Sequence, residues 1–356
     1  GGHPWLREQL GSGYSPAWAT KLQGVPADAA VGTNPNGRMV NYYIEGLHYL
    51  KERIPDLGIY IDGIGFGRRT SQRLARVLAR DNPAYRVMYH TGNLGNLLPD
   101  GSYREANRFC PIARNMEHLP YVTKLMFGEG FEFRANPDYW LLELSGLPFG
   151  LANECYVTDQ LRDTRFRPLL YAGCSVLHPS VGGVRRFFTD WEIDEAELIG
   201  YWDDDCPVRT GMDDVLASVY RKSGATLIAA ASWRDAPVDV PLEIDYSRLG
   251  LDSGHITWYL PAVRRLQKFR KLPPGEPVPT AAMGGFLLLL SPEIPDFAAT
   301  VPTEKMLTDD AGILWGNPDG AGLGATAGKA RALGGRSPTH PVRITAASAF
   351  IPGTVP

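Results

Sequence analysis

The sequence predicts an α/β protein in which a parallel α/β portion over residues 1–210 precedes a small antiparallel β domain over 211–291. Three observations predict it. Up to about residue 210, short apolar runs alternate with helical periodicity or long loops, and most runs end in glycine and polar residues. From about Asp213, strand-like runs follow one another with only turns between them. After Pro292 the chain is rich in Gly, Ala, Pro and Thr and loses its hydrophobic period, so 292–356 is expected to be irregular.

The elements follow in order. The first forty residues carry turn signals (Pro16, Pro26, Asn34-Pro35-Asn36-Gly37) and little periodicity. A helix is expected from Arg38, with Val40, Tyr43, Ile44, Leu47 and Leu50 on one buried face and Pro55 as its stop. Leu57–Ile61 reads as a buried strand ending on Asp62-Gly63. A helix near Thr70–Arg80 presents Leu74, Val77 and Leu78, and Arg86–His90 is the next strand, ending on Thr91-Gly92-Asn93. Val122–Phe127 runs into Gly128-Glu129-Gly130. Trp140–Leu144 is expected as a strand, Gly150–Leu161 as a helix, Pro168–Ala172 as a strand, and Asp194–Leu198 as a short helical stretch before Ile199-Gly200-Tyr201-Trp202. In the β domain, Val215–Tyr220, Thr226–Ala231, Val238–Ile244, Ile256–Leu260 and Gly285–Leu290 read as strands, with Lys222-Ser223-Gly224 as a hairpin turn.

Composition bounds the function. The chain of 356 residues is 44% apolar and 21% charged, with a formal net charge of −3, so it carries no electrostatic footprint for nucleic acid or an anionic membrane. No stretch of eighteen or more apolar residues occurs, and no membrane span is predicted. The chain opens Gly1-Gly2-His3-Pro4, without an initiator Met or a signal peptide, and loss of the natural start is expected. The four cysteines (Cys110, Cys155, Cys174, Cys206) form no CxxC or Cys/His cluster; no zinc site is expected, and disulfides and free thiols both stay open. Trp (8) and Tyr (16) are plentiful, and their flat faces suit sugar rings and cores alike.

In parallel α/β barrels the loops after the strands carry the chemistry. Here those positions hold Asp62, His90 with Asn93, Glu129 and Glu143. If the strands are neighbours, these groups converge on one cleft. Cleavage of a glycosidic bond needs two carboxyl groups, one to protonate the leaving oxygen and one to stabilise or attack the cation-like centre. Each candidate also has a structural reading. An acid opening a loop often caps the next helix, Glu143 suits a buried ion pair with Arg38 or Arg68, and His90 suits a rim cap. Glu129 is flanked by glycines that let the backbone turn while presenting the carboxylate. The run Asp203-Asp204-Asp205 has the composition of a metal ligand set, but a solvated turn is the expected reading, and neither a metal nor a cofactor is predicted.

Several ordered segments carry a resemblance: Asn41-Tyr42-Tyr43-Ile44-Glu45-Gly46-Leu47, Gly58–Gly65, Phe127-Gly128-Glu129-Gly130-Phe131, Pro137-Asp138-Tyr139-Trp140 with Glu143–Gly150, and Ile199-Gly200-Tyr201-Trp202 before Cys206-Pro207-Val208. From about Asn34 to Leu290 the chain resembles the glycoside hydrolase domain related to family 123. The resemblance implies a (β/α)8-type barrel followed by a β-sandwich, acting on glycans outside the cytoplasm, extracellular or in the secretory pathway. With only five or six strands legible and none convincing before Leu57, the barrel is expected to lack its first strands. Open strand edges then call for self-association or a preceding N-terminal region to cover them. Family 123 enzymes use an adjacent Asp-Glu pair with the substrate's acetamido group as nucleophile. The adjacent pair here, Asp194-Glu195, sits at a helix start, and that mechanism is not carried over.

The leading expectation is hydrolysis of an oligo- or polysaccharide, with Asp62, Glu129 and Glu143 as catalytic carboxylates and His90, Asn93, Arg68, Tyr139 and Trp140 lining the sugar site. The alternatives are a non-catalytic carbohydrate-binding or structural protein derived from such a barrel, and a metal-assisted sugar-processing enzyme using His90 and the acids.

Overall fold

The computed structural model describes residues 16–22, 25–31, 35–54, 56–63, 66–80, 84–91, 110–156, 165–171, 175–177 and 182–299. Asn93, and the tail from residue 300 onward, lie outside the described residues. These residues fall into two compact units, the first within 1–161 and 173–177, the second within 162–172 and from 178 onward. Among the described residues no helix is long and apolar enough to cross a membrane.

In the first unit, Pro16–Leu22 (β1) and Val25–Val31 (β2) pair antiparallel, a hairpin that the turn-rich sequence did not announce. Helix α1 (Arg38–Lys51) buries Val40, Ile44, Leu47 and Lys51. This stripe is narrower than expected. Tyr43 and Leu50 lie on the flank with Tyr42, Tyr49 and Ile54, 45% and 41% exposed respectively. Helix α2 (Arg68–Ala79) buries Thr70, Ser71, Leu74, Ala75 and Leu78, the three-and-four spacing of one face. Arg73 ties it to α1 through Asn41 Oδ1 at 2.7 Å, and Arg80 meets His48 Nε2 at 2.7 Å.

Five strands form one parallel sheet in chain order: β3 (Gly58–Asp62), β4 (Arg86–Thr91), β5 (Lys124–Phe127), β6 (Ala152–Tyr156) and β7 (Ser175–Leu177). Among the described residues this sheet is open, with β3 and β7 at its edges, and not a closed eight-stranded barrel. Two expectations change here. Ala152–Tyr156 is a strand where a helix was predicted, held by the backbone ladder to β5 and by Lys124 Nζ at 3.0 Å from Glu154 Oε1. Trp140–Leu144 is a wide helical turn (π-type) where a strand was predicted. Asn136 Oδ1 caps Tyr139 N–H and Pro137 stands at the first helical position, so the chain enters that run already helical.

The second unit is built on a six-stranded antiparallel sheet. In chain order its strands are β8 (Glu197–Ile199), β10 (Val215–Lys222), β11 (Ala225–Ser232), β14 (Thr257–Leu260), β15 (Arg270–Leu272) and β17 (Gly285–Ser291); across the sheet they run β15-β14-β17-β11-β10-β8. Two small ladders accompany it, β9 (Val208–Arg209) with β13 (Glu243–Ile244), and β12 (Val238–Val240) with β16 (Val278–Thr280). Val215, Ala217 and Val219, Ile228 and Ala230, and Phe286, Leu288 and Leu290 recur at period two. They share one core with Val208, Val240 and Val278 from the small ladders. Strand β8 lies in the stretch assigned from sequence to the α/β portion, yet it pairs with β10. Pro168–Leu170, predicted as part of a strand, lies in the 3-10 turn Arg167–Leu170. Its buried Arg167 bonds Ser232 O at 3.1 Å, and its Leu169 carbonyl accepts the Tyr220 hydroxyl at 2.6 Å. A short helix, Asp296–Ala299, opens the stretch predicted to be irregular.

Candidate active site

Register builds the site. Three parallel strands bring Asp62, His90 and Met126 side by side, since Asp62 pairs with His90 and His90 with Met126. Residues at matching positions of parallel strands face the same side of the sheet. The first two side chains therefore meet near the C-terminal ends of β3 and β4. Glu129 arrives from the turn after β5, where Gly128 (φ 133°) and Gly130 (φ 71°) take backbone conformations that suit glycine.

His90 is the hub. Its Nδ1 lies 2.9 Å from the Met126 carbonyl oxygen, its Nε2 lies 3.2 Å from Glu129 Oε2, and the same Nε2 lies 3.7 Å from Asp62 Oδ1. The ring is buried, while the Asp62 and Glu129 side chains are 50% and 32% exposed. Burial, the largest single influence, pushes the His90 pKa down. The hydrogen bonds with Glu129 and Met126 and the charges of Asp62 and Glu129 together outweigh it, and the net shift is upward. Because both carboxylates approach one nitrogen, Asp62 Oδ1 and Glu129 Oε2 lie no more than about 7 Å apart, below the upper limit of about 9.5 Å for paired carboxyl groups working on one glycosidic bond.

The other predicted site residues have their own local contacts. Glu143 sits on the helical turn, and its Oε2 accepts the Ala113 N–H at 2.9 Å; the strand end expected for it does not exist. Trp140 is fully buried, edge-on to Phe131 with centroids 5.4 Å apart and tilted on Phe133 at 5.8 Å, so it offers no face to a sugar. It anchors the loop that follows Glu129. Tyr139 is partly exposed on the turn just before it. Arg68 donates from Nε to the Tyr121 hydroxyl at 3.1 Å. The Asp203–Asp205 run is a turn in which Asp203 Oδ2 accepts Gly200 N–H at 2.8 Å and Arg209 bonds the carbonyls of Tyr201, Asp203 and Asp204. Asp194-Glu195 closes the 3-10 turn Ile193–Glu195, and the helical stretch expected to run on to Leu198 gives way to β8 from Glu197.

One supporting residue was missed. Asn153 on β6 is completely buried; its Oδ1 accepts Phe127 N–H at 2.8 Å and its Nδ2 lies 3.4 Å from Phe127 O. The β5–β6 backbone ladder stops at Leu125 and Asn153, so this side chain continues the pairing to the last residue of β5, two positions before Glu129. A single amide flanked by small and apolar residues in Leu151-Ala152-Asn153 was the available signal.

A second cluster has the composition of a catalytic triad but not its access. The Tyr89 hydroxyl donates to Ser71 Oγ at 3.0 Å, Ser71 Oγ lies 2.7 Å from His118 Nδ1, and His118 Nε2 lies 3.4 Å from Glu117 Oε1. Ser71 is fully buried, which makes this chain an interior clamp between α2, β4 and the 3-10 helix Met116–Tyr121. Among the described residues a polar cleft of about 430 Å³ is lined by Glu197, Arg221, Lys222 and Arg248 of the second unit, and its lining includes none of Asp62, His90 or Glu129. Arg221 closes on Glu197 there.

Residues 1–176 match the family model "Glycoside hydrolase 123, TIM-barrel domain", and residues 182–291 match "Glycoside hydrolase 123, C-terminal domain". No curated protein matches the chain. Among solved structures it is similar to a noncanonic maltogenic α-amylase from Thermotoga neapolitana, at 11% identity over 77% of this chain and 72% of that one, with a TM-score of 0.44. It is also similar to an α-amylase from Geobacillus thermoleovorans complexed with acarbose (9% identity, 82% and 75% covered, TM-score 0.43). An Anoxybacillus α-amylase follows (9% identity, 82% and 74% covered, TM-score 0.40). Two consecutive domain matches in family order account for most of the sequence, and the chain therefore belongs to glycoside hydrolase family 123.

Proposed function

We propose that this chain hydrolyses glycosidic bonds of an oligo- or polysaccharide outside the cytoplasm, with Asp62 and Glu129 as the working carboxyl pair. The observation that carries this reading is the approach of both carboxylates to the single nitrogen His90 Nε2, near the C-terminal ends of adjoining parallel strands. Partial exposure of both acids leaves them reachable by a sugar, while the buried imidazole fixes their spacing from below. A bond cleaved between them receives a proton from one side and negative charge from the other. The family membership supports a carbohydrate substrate. The test is hydrolysis of a panel of polysaccharides and 4-nitrophenyl glycosides, acetamido-sugars included. Turnover abolished by Asp62→Asn and by Glu129→Gln is the expected result; turnover unchanged in both variants refutes it.

A second reading, a glycan-binding or structural protein without turnover, draws on the open edge of β3. Tyr60 there is 46% exposed, and the α1 flank of Tyr42, Tyr49 and Leu50 is exposed as well, a surface suited to a further strand and helix or a second copy of the chain. Glycan binding without hydrolysis, unaffected by the two carboxylate changes, favours this reading.

A further inference from the structure

We propose that His90 and Glu129 share one proton, that Glu129 is the group which protonates the leaving oxygen, and that His90 is a positioning residue which holds and restores that proton. The assignment rests on the reading of Asp62 and Glu129 as the carboxyl pair, and it deepens that reading by dividing their roles.

The argument is one of donors and acceptors. A backbone carbonyl only accepts, so the 2.9 Å contact with Met126 O requires the hydrogen of His90 to sit on Nδ1. A neutral imidazole with its hydrogen on Nδ1 presents a bare lone pair at Nε2. A carboxylate presents lone pairs as well, and two acceptors do not face each other at the 3.2 Å that separates His90 Nε2 from Glu129 Oε2. One proton therefore lies between them, on the nitrogen as an imidazolium or on the oxygen as a carboxylic acid. Asp62 stands farther from the same nitrogen, at 3.7 Å, outside hydrogen-bond reach, so it does not share that proton. Among the described residues, the groups facing His90 include Asp62 and the Tyr60 ring (centroids 6.2 Å apart) from β3, and from β5 and its turn the Met126 carbonyl and Glu129. The charged ones among them are acids, which favour a proton on the ring.

The step balances. As the bond from the anomeric carbon to the leaving oxygen breaks, its electron pair goes to the oxygen, which takes the shared proton through Glu129. Glu129 is left as a carboxylate and His90 as the neutral Nδ1–H tautomer, while Asp62 opposes the positive charge at the carbon. Water then adds to that carbon, and the proton it sheds returns to the His90–Glu129 pair.

The experiment is long-range 1H–15N spectroscopy of the full chain labelled at its histidines, across pH, with His90→Gln to assign the His90 signals. The neutral ring is expected as the Nδ1–H tautomer, with a midpoint above the ordinary histidine value of about 6.5 that falls in Glu129→Gln and falls less in Asp62→Asn. A neutral His90 ring protonated on Nε2 overturns the proposal; so does a midpoint indifferent to Glu129→Gln. A kinetic arm uses aryl glycosides. His90→Gln is expected to lose roughly tenfold or more in kcat/KM on 4-nitrophenyl glycosides and clearly less on 2,4-dinitrophenyl glycosides, whose leaving group needs little protonation. Equal losses on both overturn the role assigned to Glu129. Absence of any turnover alongside the expected spectra overturns the hydrolase reading and leaves the shared proton standing, so the two failures are distinguishable.

Discussion

Asn153→Ala is the perturbation that links packing to the site most closely. The side chain is completely buried and satisfies Phe127 N–H at 2.8 Å, at the point where the β5–β6 ladder has already ended. Its contact with Phe127 O, at 3.4 Å, is long and contributes little. Truncation leaves the buried Phe127 N–H unpaired, so the variant is expected to lose about 1–3 kcal/mol. Urea denaturation of wild type and variant measures this as a lower midpoint at unchanged slope. The same change frees the end of β5 that carries the Gly128-Glu129-Gly130 turn, so kcat/KM on any hydrolysed glycoside is expected to fall together with stability. Asn153→Asp keeps the acceptor for Phe127 N–H but introduces a carboxylate into a buried site, and it also destabilises. A loss below about 0.5 kcal/mol in Asn153→Ala, with full activity, refutes the idea that this amide completes the strand.

Four further outcomes are expected. Ser71→Ala strands both the Tyr89 hydroxyl, whose pKa burial pushes up to about 12, and His118 Nδ1, at a cost of about 2–4 kcal/mol in urea denaturation. Burial, opposed by Glu117, also holds the His118 pKa below its ordinary value. Below about pH 6.5 the unfolded chain therefore takes up a proton that the folded chain resists, so stability is full above that pH and falls as pH drops; His118→Gln flattens this limb in thermal unfolding. His90 acts in the opposite sense: its raised pKa contributes stability that is present below about pH 6.5 and lost as pH rises through the folded value, and Glu129→Gln reduces that contribution. Glu143→Ala removes the acceptor for Ala113 N–H, costing about 0.5–1.5 kcal/mol while leaving kcat/KM intact; a loss of turnover without a loss of stability returns Glu143 to the reaction.

The strands that carry the proposed chemistry were legible because each is a short apolar run closed by glycine or polar residues, and the paired glycines around Glu129 marked its turn directly. Asp62, His90 and Glu129 could be read as strand-end groups, but their convergence depends on the register Asp62↔His90↔Met126, a non-local fact that no periodicity contains. Trp140–Leu144 misled because its apolar density suits a strand and a buried turn equally; the signal for the turn lies upstream, in Asn136-Pro137. Ala152–Tyr156 misled in the opposite way. Its Asn153 and Glu154 are polar, and Phe127 and Lys124 on the neighbouring strand partner them. Strand β8 reads as a continuation of the α/β portion until its pairing with β10 is seen. Glu143 was read as lying within the expected Trp140–Leu144 strand, and in the helical turn its carboxylate accepts the Ala113 N–H while Trp140 is buried against Phe131 and Phe133.

The most direct test of the central claim, that Asp62 and Glu129 act on one bond, is a double-mutant cycle in kcat/KM on a single hydrolysed glycoside. Asp62→Asn, Glu129→Gln and the double variant are compared with wild type. Groups that act as a unit give non-additive losses. Each single change is expected to cost about 10²–10⁴-fold, with the double variant little worse than the weaker single one. Activity retained in either single variant, or losses that multiply in the double variant, contradict the claim.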